Sequence, residues 1–158
     1  MTTTLQKTEI KPEWKQEQIQ KQTALAFTSN MMAAMTVLAK HGEEAVNEFQ
    51  ALTRMPMVKH YKEMGVKTPL DLVKAKAEFE TNVFGSKIEI FGDEKEAHLK
   101  YLSCAIWNTM KQCGHMNKEQ EEKMCAGFAN CVSAFAKEFG FEGEVKFENE
   151  IATVTFRK

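Results

Sequence analysis

Apolar residues recur at helical spacing through the first half of the chain and at alternate positions in two short stretches of the second. The most apolar run is ALAFTSNMMAAMTVLA, residues 24–39. A bilayer span needs about 20 apolar residues. This run is shorter and carries Thr28, Ser29 and Asn30, so it predicts a buried helix. Pro12 suits a first helical turn, and the helical region is expected from there to about Lys40, kinked or interrupted near Thr28–Asn30. His41-Gly42 reads as a helix end, with Gly42 in the left-handed cap position. Glu43 and Glu44 favour the positive end of a second helix. Pro56 should end or kink it, because proline removes an amide donor, and a further helical piece runs to Met64-Gly65. Thr68-Pro69-Leu70-Asp71 marks the next start, with Thr68 as the cap and Pro69 in the first turn. That helix is expected to end before Gly85.

The period then switches to two. Lys87–Phe91, a turn at Gly92-Asp93-Glu94 and Ala97–Leu102 read as a β-hairpin. A helix follows from Ser103 to Cys113, closed by Gly114, and Asn117 caps another that runs to Phe139-Gly140. In it Met124, Phe128, Cys131, Phe135 and Phe139 form one apolar stripe. Glu144–Phe147 and Ile151–Phe156 form a closing hairpin. Hairpins without crossover helices imply an antiparallel sheet. The expected fold is α+β: N-terminal helices, a β-hairpin, a two-helix hairpin and a C-terminal β-hairpin, with helices covering the sheet. Residues 1–11 read as a polar tail and 12–158 as a single domain.

Composition narrows the function classes. The chain has 158 residues, is 43% hydrophobic and 27% charged, and has a net charge of −1. It can bury a core without staples, and no global field draws it to nucleic acid or to an anionic membrane. The only arginines are Arg54 and Arg157, so the preferred fork for phosphates and guanine edges is scarce. No apolar leader opens the chain, and Glu9, Glu13 and Glu17 argue against a transit peptide; a cytoplasmic protein is expected, with no nucleic-acid or membrane partner.

The cysteines Cys104, Cys113, Cys125 and Cys131 lie close together in sequence. Reduced thiols are expected. The spacing matches no common zinc pattern, and Cys125 and Cys131 sit roughly 240° apart around one helix. Cys131, on the stripe, reads as a core residue. Cys104 and Cys125 would fall at similar height in a two-helix hairpin and could be neighbours. Cys104 also stands where a strand enters a helix, with Ser103 as a plausible cap, and helix amides lower a thiol's pKa. It is the candidate nucleophile or metal ligand, against the plain alternative of a small buried hydrophobe. Cys113 and His115 flank a tight turn and add a second pair of potential ligands. A thiolate-bound zinc or iron is the metal these four residues would suit. Among ten methionines, Met31 and Met35, with Phe128, are candidates for lining a small-ligand or cofactor pocket; a Met-rich core is the alternative.

The segment EAHLKYLSCAIW, the Met124-Cys125 step and the closing EVKFENEIATVTFRK carry a likeness. Over roughly residues 40–158 the layout resembles the L-2-amino-thiazoline-4-carboxylate hydrolase-like family and the related 4-vinyl reductase domain. The resemblance implies ring-opening hydrolysis of a cyclic C–N bond in a small molecule at a cysteine-centred site. It also implies small-ligand and metal sensing, and the thiols with the Met/Phe pocket give the alternative of a small-ligand, haem or metal-binding sensor or carrier. A structural subunit docking through its helical half, or a homo-oligomer, is the third expectation.

Overall fold

A computed structural model describes residues 9–114, 116–149 and 151–158. Helix α1 spans Gln16–Leu38, α2 Glu43–Glu63 and α3 Pro69–Phe79. Strands β1 (Lys87–Gly92) and β2 (Glu96–Ser103) precede helices α4 (Ala105–Gln112) and α5 (Lys118–Lys137), and β3 (Glu142–Glu148) and β4 (Ile151–Arg157) close the chain. The fold is α+β in the expected element order.

Local chemistry explains most boundaries. Thr68 Oγ1 accepts from the Asp71 amide at 3.1 Å, while Asp71 Oδ2 accepts from the Thr68 amide at 3.0 Å. Asn117 and Gln120 form the same reciprocal cap on α5, both bonds at 2.9 Å. Neither α1 nor α2 is interrupted, at Thr28–Asn30 and at Pro56 respectively. α1 runs unbroken through Thr28–Asn30, because each such residue costs well under about 1 kcal/mol in a helix and Thr28 is fully buried in the fold. α2 runs through Pro56, which is exposed, as is Leu52 one turn earlier, so water can reach the carbonyl that proline leaves unpaired. α1 also starts later than Pro12, where the Lys15 amide donates to Gln18 Oε1 at 2.9 Å.

The sheet has the strand order β1-β2-β4-β3, every neighbouring pair antiparallel. Leu99 on β2 faces Val154 on β4, and Ala97 faces Phe156. These side chains, with Tyr101, point inward and meet Leu72 and Val73 of α3 and Val132 and Ala136 of α5. Gly143 on β3 lets α5 sit close: a Cβ there would lie 2.7 Å from the Ala136 Cβ. The other sheet face is polar, and Arg157 bridges Glu96 and Glu144 across it. Among the described residues no helix is long and apolar enough to cross a membrane.

The helical half is more open. α1 rests on α4 and on the turn that follows α3, and α2 touches α1 and α5. Phe27 of α1 meets Phe84 with ring centroids 5.2 Å apart, and Gln20 Nε2 donates to the Thr81 and Asn82 carbonyls at 3.0 and 3.1 Å. Ile19, Leu25, Phe27 and Val37 nonetheless remain exposed on α1.

Candidate functional site

After Phe79 the chain widens into a π-helical turn, Glu80–Phe84, closed by Gly85 at φ 77°. Such turns shift the side-chain register and are frequent at functional positions. Glu80 opens this turn with its amide still bonded to the Lys76 carbonyl, as in α3, and its carboxylate meets β2 at Tyr101. Tyr101 Oη donates to Glu80 Oε1 at 3.1 Å. Glu80 Oε2 is buried with no hydrogen-bond partner. Among the described residues the only other such side-chain oxygen is the Thr28 hydroxyl, a far less costly group to leave unpaired than a carboxylate.

Cys104 feels the charge of this carboxylate. β2 ends at Ser103, and Cys104 itself is the cap of α4: its Sγ accepts from the Trp107 amide at 3.5 Å. Ser103, expected in that role, instead accepts from Asn108 Nδ2 at 3.0 Å. The Ala105 amide is held by Ser86 Oγ at 3.1 Å, which fixes the entry to α4. Burial pushes the Cys104 thiol up, and the negative charge of Glu80 pushes the same way; the Trp107 and Ile106 amides pull down but do not prevail. The helix start therefore acts as expected, yet desolvation outweighs it, and Cys104 rests as a neutral thiol.

Two tyrosines complete the cluster. Burial and then Glu80 raise Tyr101 well above the ordinary phenol value, with Cys104 and Tyr61 adding smaller increments. Burial and then Glu80 push Tyr61 up to about 12. Among the described residues, Glu80 is thus the one charged group that acts on both phenols and the thiol. Replacing it by glutamine should lower the Cys104 pKa and speed its alkylation at a given pH. Rates read at the Cys104 peptide across a pH series test this; overlapping profiles would mean that Glu80 does not act on the thiol.

The remaining candidates are scattered. Phe128 meets the edge of Tyr101 at 6.4 Å between centroids and so borders the cluster. Met31 and Met35 are half-buried on α1 and are not among the side chains packed on the sheet core. Burial and then Glu121 raise the Cys125 thiol; Cys104 and Cys125 do not figure among each other's influences. Cys113 caps the end of α4, and all four thiols are free and half-buried. Cys131 lies beside the core-facing stripe, whose fully buried members are Val132 and Ala136. His115 lies outside the described residues. Among the described residues no three His, Cys, Asp or Glu side chains gather as metal ligands.

Of the other histidines, His41 and His60 are exposed. His98 is half-buried on the outer sheet face, stacked on Phe91 at 4.5 Å, with Nδ1 2.9 Å from Thr155 Oγ1. Among the described residues, Glu80 is the carboxylate whose charge acts on Cys104. Sequence reading overlooked Glu80, although it falls on the apolar face of α3, seven residues after Val73 and eight after Leu72. A lone carboxylate on such a stripe was the available signal. A groove of 470 Å³ lined by Met55, Val58, Lys62 and Glu138 involves neither Cys104 nor Glu80.

No family model matches the chain, and no curated protein matches it.

Proposed function

We propose that the protein is a small hydrolase that opens a cyclic C–N bond in a cationic, amidine-like molecule at Cys104 and Glu80. The supporting observation is the buried Glu80 carboxylate with one oxygen unpartnered, set beside a neutral thiol. An unpaired acceptor of this kind is costly unless a donor fills it. A protonated ring N–H supplies that donor, and its positive charge offsets the Glu80 charge that holds the thiol up. Substrate binding thereby activates the nucleophile, which is otherwise inert.

Cys104 Sγ bonds to the ring carbon as its proton passes to Glu80 and the C=N pair moves onto nitrogen. The second nitrogen's lone pair re-forms C=N as the ring C–N bond breaks and Glu80 returns the proton to the ring nitrogen. Water then adds to this imidoyl thioester, one of its protons leaves with the Cys104 sulfur, the carbon keeps the oxygen as C=O, and Cys104 is restored. Tyr101, donating to Glu80 Oε1, keeps the second oxygen aimed at the substrate.

The test is turnover of 2-amino-thiazoline-4-carboxylate and related cyclic isothioureas. Cys104→Ser and Glu80→Gln should each lower kcat by about 100-fold or more, the range for a lost acid–base group. Binding without turnover in the wild type would leave a carrier that uses the same carboxylate. Neither binding nor turnover, or variants as active as the wild type, would discard the hydrolase reading.

A further inference from the structure

α1 carries its charges, Glu17 and Lys21, only near its start; from Gln22 to Leu38 it has none. A helix face left in water is ordinarily polar and charged. Here Ile19 and Val37 are 50% and 53% exposed, and Ala26, Asn30 and Ala33 between them are exposed too. With half-buried Thr23, these six residues fall within about 80° of one another at 100° per residue. Their spacing alternates four and three, the seam of a two-stranded coil. They lie opposite buried Ala24 and Thr28, so the seam points away from the protomer.

We propose that this seam pairs with α1 of a second copy, antiparallel, about a two-fold axis near Thr28. The side-chain sizes match themselves under that operation. Ile19 meets the partner's Val37, Thr23 meets the partner's Ala33, and Ala26 meets the partner's Asn30. Large residues close both ends, and small ones let the backbones approach in the middle. Asn30 is the one amide in the seam, and a polar residue there fixes register. Charge selects the direction. A parallel pair sets Glu17 against the partner's Glu17; the antiparallel pair sets it near the partner's Lys40, just beyond α1, and aligns the helix dipoles favourably. Self-complementarity under a two-fold is what an isologous dimer requires, so the occupant is a second copy of this chain.

Sedimentation velocity of the full chain at micromolar concentration should give twice the 18.0 kDa of one chain. Ala33→Arg places a charge in the seam at an exposed position; it should give a monomer with unchanged far-UV circular dichroism. Glu17→Lys and Lys40→Glu should each raise the dimer Kd about threefold at low salt, as an exposed ion pair allows, and together restore it. A wild-type monomer, or a dimer indifferent to Ala33→Arg, overturns the seam. A double variant weaker than either single one overturns the antiparallel register. None of these readouts depends on hydrolysis.

Discussion

Phe156→Ala should lower the unfolding free energy by about 3–5 kcal/mol, the range for emptying a buried aromatic site. Phe156 is fully buried in β4, opposite Ala97 on β2 and Gly143 on β3. Its partners across the sheet are the smallest available, and Ala136 of α5 lies close behind Gly143. The ring fills the space that these small residues leave. None of them has a flexible side chain that could swing into the void, so the site collapses poorly and the cavity cost stays near the top of the range. A domain of this kind has roughly 5–15 kcal/mol in total, so the variant sits near the edge of folding. Urea titration with an unchanged m-value checks the figure. A loss under about 1.5 kcal/mol would mean that α5 moves down onto the sheet, and that the close Gly143 contact is not rigid.

The features legible in the sequence are those that short-range chemistry decides. Thr68 with Asp71 and Asn117 with Gln120 close their caps within one turn, and nothing distant is needed to form them. The two hairpins are likewise local: Asp93 Oδ1 accepts from the Lys95 and Glu96 amides at 2.7 and 3.1 Å and turns the chain by itself. The interruptions expected at Thr28–Asn30 and at Pro56 did not occur, for the complementary reason. Both expectations rested on residue preferences worth little beside packing, or on a lost bond that water replaces at an exposed position.

The site was half legible. Cys104 stands out because a strand ends and a helix begins there. What surrounds it does not, since Glu80 meets Tyr101 across 21 residues, a pairing that no local pattern encodes. The thiol's state depends on that unseen neighbour. A helix start alone argues for a lowered pKa, whereas burial beside a carboxylate argues for a raised one, and the second prevails.

Because the buried cluster holds its protons, stability should fall steeply in alkali. An unfolded tyrosine titrates near 10.0, whereas Tyr61 in the fold holds its proton to about 12. A raised folded-state pKa contributes stability that is fully present below pH 10 and lost as pH rises through 12. Two units at about 1.4 kcal/mol each put the loss from Tyr61 at roughly 2–3 kcal/mol. Tyr101 is raised in the same sense and adds to it. Cys104 starts the decline earlier, since its unfolded value is 9.0. Burial is the largest cause for all three and Glu80 acts on each, so Glu80→Gln should move the alkaline midpoint upward and Tyr61→Phe should flatten the slope. Denaturant midpoints across this range, read beside tyrosinate absorbance, separate the outcomes. Normal phenol titration in the folded protein would mean that water reaches the cluster freely, and Glu80 Oε2 would then lose its claim to be waiting for a ligand. A steep decline that persists in Tyr61→Phe with Tyr101→Phe would place the alkaline transition on other groups and leave the cluster's electrostatics without consequence for the fold.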